Sequence, residues 1–385
     1  GESPNAAGAT ELAHPLQGMR VLDLTLALAG PTCGRLLGEF GADVIKIGAP
    51  QSGGGGGYLN RGKRSLLLDV ESVDGQQVFW KLLQRADIVL ENFSPGSADR
   101  LGIGYEQVRA RKPGVIYSSI SCYGYGGPWT QRRGWERQGQ AVTGIMERVA
   151  AVPAVLGPYN LVDIGTGILG AFATAAAIYH RLRTGRGQHV QASLAQTATY
   201  HQAPYMLDYA GHRADEPRGW EALGPGPMQR FYRAQDRWLF LGAAPADGAR
   251  LGSVQGLQGC VDLTGAALQR ALEEGFAEEP AAVWVGRLRQ SGIAAQTWEK
   301  LAGLMDDPGV EARGLSVTRL AEGVGEVTMP GLSVRLSRTP PRVGAPAHRP
   351  GADAEAVLKE VGLAEAIPAL ERAWALQTTD LPSSW

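Results

Sequence analysis

The sequence predicts an α/β protein, with a large domain on a parallel sheet and a smaller α+β domain. Three observations carry that expectation. The chain opens on a strand–helix–strand pattern across residues 19–47. Short apolar runs then alternate with helical stretches to about residue 205, the signature of a parallel sheet covered by helices. Past that point the composition turns polar and rich in Gly and Pro, then resumes as a hairpin followed by helices. At 385 residues the chain exceeds one ordinary core. We read 15–205 as the first part of the large domain, 206–228 as a linker and 229–315 as the small domain. Residues 316–385 return to complete the large domain.

The elements follow in order. Met19 to Leu24 is an apolar strand, Ala29-Gly30-Pro31 punctuates, Thr32 to Phe40 is a helix with Gly41 as its cap, and Asp43 to Ile47 is the next strand. Gly53 to Gly57 reads as a mobile loop. Asn60-Arg61-Gly62-Lys63-Arg64-Ser65 places three cations before the strand Leu66 to Val70. Such a loop is either a solvated surface or a seat for phosphates. A helix over 73–85 and a strand over 87–91 continue the alternation. Asn92-Phe93-Ser94-Pro95-Gly96 then forms a loop where open parallel sheets bind ligands. Asp99 to Leu101 make a helical turn, 115–120 a strand, Tyr123 to Gly127 a glycine-rich loop and 134–148 a helix. A loop rich in Pro and Val leads to the helix after Asp163. A basic turn, Arg181 to Gln188, enters the strand His189 to Ala192, and Ser193-Leu194 starts another helix. In the small domain, Arg230 to Leu241 reads as a β-hairpin, with helices near 246–256, 264–276 and 279–290. Residues 316–336 read as strands, 339–351 as an extended segment and 352–375 as the last helices.

Composition excludes several classes. Hydrophobic residues at 44% and charged residues at 19% are the profile of a soluble globular protein. A net charge of −1 gives no field to attract nucleic acid or an anionic membrane, so local Arg and Lys must hold any anionic ligand. Cys33, Cys122 and Cys260 are scattered without a C-x-x-C pair, which argues against a zinc site or disulfides and fits the cytoplasm. No metal-spaced acid cluster, P-loop or nucleophile elbow is present. The apolar run nearest to membrane length follows Asp163, and His180, Arg181 and Arg183 end it. The start, Gly1 to Asn5, is polar, shows no signal-peptide pattern and reads as unstructured.

Asp163 stands at the head of that apolar helix. It reads either as a helix N-cap or as a carboxylate poised to attack a carbonyl. Glu136, near another helix start, has the same two readings. Gly165-Thr166-Gly167-Ile168-Leu169-Gly170 matches G-x-G-x-x-G, but it lies mid-chain behind an acid. We read its glycines as permitting close approach of a helix or a ligand.

In combination the motifs resemble the class III CoA-transferases, the formyl-CoA and carnitine CoA-transferase group. The resemblance rests on Val21 to Thr25, Ala29-Gly30-Pro31, Gly41 to Lys46, Asn60 to Ser65 with Leu68-Asp69, and Glu91 to Phe93 with Pro95-Gly96. Asp163 with Gly165-Thr166-Gly167, and His180-Arg181 with Thr184 to Gln188, extend it. It implies a Rossmann-like large domain, an interlocked homodimer, acyl-CoA and a carboxylic acid as substrates, and no metal. The nucleophile falls on Asp163 and a site glutamate on Glu136. CoA contacts fall on Ala27, Lys63, Arg100, Leu101 and Arg133, and the substrate pocket on Leu28, Trp135, Tyr123, Gly224 and Gly226. Tyr125 and Met228 would add apolar wall. Glycine loops at 123–127 and 224–226 would direct amides at an oxyanion. The chain departs from the formyl-CoA enzyme at Leu28, Gly48-Ala49 and Gly224-Pro225-Gly226, so oxalate is a poor acceptor. The related α-methylacyl-CoA racemases carry a His-Asp pair where this chain has Trp135-Glu136. Racemisation through Glu136 and Asp163, or a non-catalytic CoA-binding subunit, are the alternatives.

Overall fold

The computed structural model describes residues 12–52, 56–149, 160–212, 219 and 222–383. They fall into two compact units. The larger takes residues 12–145, 160–204 and 309–383, and the smaller takes 146–149 and 205–308. The polar start, Gly53 to Gly55, most of the loop before Asp163 and much of the 211–228 stretch lie outside the described residues.

The first half alternates as β1 (Arg20–Asp23), α1 (Ala29–Glu39), β2 (Asp43–Gly48), β3 (Arg64–Leu68), α2 (Val73–Leu83), β4 (Ile88–Glu91), α3 (Ser97–Arg100), α4 (Tyr105–Arg111) and β5 (Ile116–Ser121). Next come α5 (Glu136–Val142), α6 (Ile145–Val149), α7 (Leu161–Thr184), β6 (His189–Ser193) and α8 (Leu194–His201). The chain continues with β7 (Gln229–Arg233), β8 (Trp238–Gly242), α9 (Gly248–Ser253), α10 (Gly265–Ala277), α11 (Ala281–Gln290) and β9 (Ala294–Thr297). It ends with α12 (Leu301–Met305), α13 (Pro308–Ala312), β10 (Ser316–Ala321), β11 (Gly325–Pro330), α14 (Ala354–Glu360), α15 (Ile367–Arg372) and β12 (Leu376–Gln377).

The larger unit holds a seven-stranded sheet in the order β12-β3-β2-β1-β4-β5-β6. Six strands are parallel, and β12 closes one edge antiparallel to β3. Side-chain alternation along each strand feeds two cores. In β1, Leu22 faces α2, α4, α14 and α15 through Phe79, Leu82, Val108, Val357, Leu358 and Leu370. Its neighbour Val21 faces α1, α7 and α8 through Cys33, Leu37, Ala177, Ile178 and Ala198. The order reverses at β1, whose neighbours are β2 and β4. Such a switch point leaves a crevice at the strands' C-terminal ends, where open α/β sheets bind ligands.

Two features extend the sequence reading. Ala29-Gly30-Pro31 forms the first turn of α1, where a missing proline N–H costs nothing. The glycines of α7 do admit a close neighbour: a Cβ on Gly167 would fall 2.6 Å from the Ala29 carbonyl oxygen. Others correct it. The helix expected over 134–148 is broken at Thr143-Gly144, where Gly144 adopts φ +78. The hairpin of the smaller unit gains a third strand, β9, antiparallel to β8. β10 and β11 are an antiparallel ribbon of their own within the larger unit. Most plainly, α7 is long and apolar enough to cross a membrane by length and composition, which the sequence reading denied. One face nevertheless packs into the core on α1 and β5. The opposite face leaves Leu161, Ile164, Ile168, Phe172, Tyr179 and Leu182 exposed.

Candidate active site

Two loops at the switch point frame the site. The first follows β1. Asp23, fully buried, accepts from the Thr25 backbone N–H at 2.9 Å and from Thr25 Oγ1, turning the chain sharply. Asn92, from the loop after β4, then clamps Leu26. Its Oδ1 accepts from the Leu26 N–H and its Nδ2 donates to the Leu26 carbonyl oxygen, both at 2.8 Å. Ala27 beyond the clamp holds φ +61, an unusual conformation for a residue with a Cβ.

A cavity of about 180 Å³ opens between these loops and the head of α7. Ala27, Leu28, Arg133, Trp135 and Asp163 all line it, with the 92–95 loop, Cys122 and Arg132. Five of the residues singled out in the sequence therefore meet in one place. A second cavity, of about 320 Å³, lies beyond the ends of β1 and β2 and alongside β3. Ala27 belongs to both walls.

Asp163 is not the N-cap of its helix. Asn160 occupies that position and makes no side-chain cap bond. The cap comes from α5: Glu136 accepts from the amides of Val162 at 3.2 Å and Asp163 at 2.6 Å, and from Gln140 Nε2 at 2.5 Å. Because Glu136 takes these amides, the Asp163 carboxylate is left with no hydrogen-bond donor among the described residues. Burial, reinforced by the Glu136 charge and opposed by Arg137, pushes its pKa up to about 7. Arg137 keeps one buried guanidinium nitrogen without a partner. The result is a half-buried carboxylate, without a partner among the described residues, that exchanges its proton near neutral pH. Such a group serves as nucleophile or acid/base.

Glu136 thus positions Asp163. Glu136→Gln is expected to move the acidic limb of the kcat/KM profile to lower pH, since removing a nearby negative charge lowers the Asp163 pKa. An unmoved limb would contradict this placement. The Glu136→Ala variant should also lose about 2–4 kcal/mol of stability, read by urea unfolding, from stranded amides.

The basic loop corrects another expectation. Its three cations are each paired inside the protein. Arg61 holds Glu39, Arg64 holds Asp43 and Glu360, and Lys63 has all three protons engaged. Lys63 Nζ donates to Asp23 at 2.8 Å, the Pro31 carbonyl at 3.0 Å and Asn60 Oδ1 at 3.2 Å. Burial would raise the Asp23 pKa, but Lys63 and Lys46 outweigh it and hold it below the usual carboxylate value. Lys63 is therefore an internal counter-ion. Lys63 nevertheless lines the larger cavity. So does Lys46, a cation that sequence reasoning missed, which bonds to the Thr25 carbonyl. Burial, against the pull of Asp23, lowers its pKa to about 8.

The remaining residues scatter. Arg100 rests on Ser97 at the surface, and Leu101 packs against the core beneath α2. Neither lines the two cavities. Tyr123 packs edge-on to Trp129 and is not on the cavity wall, and the Gly124 N–H is held by Ser121 Oγ. Met228 packs on the core of the smaller unit. Gly224 and Gly226 also belong to that unit and shape the turn into β7, where a Cβ on Gly224 would sit 2.2 Å from the Gln229 carbonyl oxygen.

Residues 16–354 match the model of CoA-transferase family III. The chain is 28% identical over 380 residues to a succinyl-CoA–L-malate CoA-transferase beta subunit from Chloroflexus aurantiacus, covering 90% of this chain and 94% of that one. It is 26% identical over 383 residues to a human succinyl-CoA:glutarate CoA-transferase, covering 90% and 86%. A crystal structure of a CAIB/BAIF family protein from Brucella suis superposes with a TM-score of 0.80 at 26% identity, covering 90% of this chain and 99% of that one.

Proposed function

The chain belongs to CoA-transferase family III, and on that premise we propose that it moves CoA from a dicarboxylic acyl-CoA to a second carboxylic acid, with Asp163 as covalent carrier. The observation that carries this reading is the Asp163 carboxylate itself, with no donor among the described residues, in a cavity at the sheet's switch point. In the first step a carboxylate oxygen attacks the donor's thioester carbonyl. A mixed anhydride forms and CoA leaves as thiolate. The thiolate attacks the Asp163 carbonyl, giving an aspartyl-CoA thioester and the free donor acid. The acceptor carboxylate attacks that thioester, and the steps run in reverse. A carboxylate is a weak nucleophile, so positioning must supply most of the rate enhancement. The donors named for the relatives are succinyl thioesters, and Arg132 and Arg133 on the cavity wall suit a second carboxylate or a CoA phosphate. CoA would lie across the two cavities that meet at Ala27.

Proton transfer at a racemase centre has no support, because both Glu136 oxygens already hold amides. The exposed apolar face of α7 suits a second copy of the chain, as the interlocked homodimer requires. Native mass spectrometry after mixing with succinyl-CoA tests both ideas. A dimer is expected in which Asp163 carries the CoA, converted by hydroxylamine to a hydroxamate at that residue. A monomer, or trapping elsewhere, would overturn the corresponding part.

A further inference from the structure

Another cavity, of about 350 Å³, opens at the C-terminal ends of β4 and β5. Phe93, Ser94 and Pro95 line both it and the Asp163 cavity, so the two lie on opposite flanks of one short segment. Its chemistry is unlike that of either cavity assigned above. Tyr105, Tyr117 and Tyr125 surround His189. Tyr105 stacks on the imidazole at 4.7 Å, and the other two meet it edge-on at 5.5 and 6.0 Å. Ser119 Oγ lies 2.8 Å from His189 Nε2 and fixes the ring.

Three carboxyl groups complete the wall: Glu91, Asp99 and Glu106. No Lys or Arg is among the described residues that line it. Glu106 is paired with Arg109 at 2.5 Å. No hydrogen bond or ion pair reaches the Asp99 carboxylate from any described residue. Glu91 is buried at the floor, where its Oε2 accepts from the Phe93 amide at 2.8 Å. Burial lowers the His189 pKa, so the imidazole adds no fixed positive charge.

The lining offers an anion no cation of its own, and Arg109 beside it, over the Tyr105 ring at 5.7 Å, is held by Glu106. A neutral apolar guest would strip water from Asp99 without compensation. A positive organic guest meets both requirements, since aromatic rings and carboxylates attract it together. We propose that this cavity binds a small organic ammonium ion, at a site separate from the acyl-CoA and acid of the transfer reaction. Its volume lies within the usual range of small-molecule sites, roughly 300–1,000 Å³.

Isothermal titration of the full chain at pH 8 tests this, with choline and n-butylammonium as cations. The control is 3,3-dimethylbutan-1-ol, the neutral isostere of choline. At least one cation is expected to bind saturably, about tenfold or more tighter than the isostere, and equally well with saturating CoA present. Asp99→Asn and Tyr105→Leu should each weaken that binding about tenfold while the thermal midpoint stays near wild type. Saturable binding of neither cation, equal affinity for the neutral isostere, displacement by CoA, or unchanged affinity in Asp99→Asn would each overturn the proposal. Should Tyr105→Leu fail to fold, Asp99→Asn decides alone, because its exposed carboxylate supports no other residue.

Discussion

Asp163→Asn is expected to erase CoA transfer and, at the same time, to yield a more stable protein. The activity loss follows from chemistry: an amide cannot form the anhydride, so turnover should fall by roughly 10⁴-fold or more. The stability gain follows from the proton balance. The folded Asp163 pKa is raised from the ordinary 3.8 to about 7, so between those values the folded state holds a proton that the unfolded chain releases. Stability from this group is fully present below the unfolded pKa and declines as pH rises from about 4 to about 7. Above that window the ionised carboxylate costs at most about 4 kcal/mol, less because Asp163 is partly exposed. Asparagine carries no such cost. Denaturant unfolding at pH 8 should show the variant more stable than wild type, with the gap closing toward pH 4. A variant that is less stable at pH 8 would mean the carboxylate is held by a favourable partner. Retained turnover would remove Asp163 from the chemistry.

Lys63→Met should cost about 3 kcal/mol, because it leaves the Asp23 carboxylate, at zero exposure, with only the more distant Lys46 as counter-ion. A lysine that gripped a CoA phosphate would behave differently, raising KM for acyl-CoA and leaving stability nearly intact. The partner substitution sharpens the contrast. Asp23→Asn added to Lys63→Met removes the stranded charge, so the double variant should recover part of the loss in urea unfolding. No recovery would show that the two side chains contribute independently. A large rise in KM without destabilisation would return Lys63 to the ligand.

Much of the fold was legible in the sequence because β1, β2 and β4 are continuous apolar runs between clear punctuation. Such runs are what buried parallel strands require. β12 was not legible, since two residues at a sheet edge carry no period. Asp163, Trp135, Arg133, Leu28 and Ala27 were found through the order of motifs, and the structure brings them to one cavity. The pairing of Lys63 was not legible, because a basic loop beside a strand end looks the same from sequence whether its cations face solvent, phosphate or a buried aspartate. Its true partner, Asp23, lies 40 residues earlier and resembles an ordinary turn residue. Asp163 was weighed as its own helix cap for a similar reason. The cap, Glu136, comes from a separate helix, and local pattern cannot show which of two acids takes the amides.

That borrowed cap also bears on how the enzyme comes into being. A helix closed by its own side chain can settle at its final start before its neighbours arrive. The first turn of α7 depends on a residue 27 positions earlier, so the reactive carboxylate has no fixed address until α5 has docked. On the proposed mechanism, an incompletely assembled chain would hold every chemical group of the reaction and still lack an armed acyl acceptor for the thioester pool.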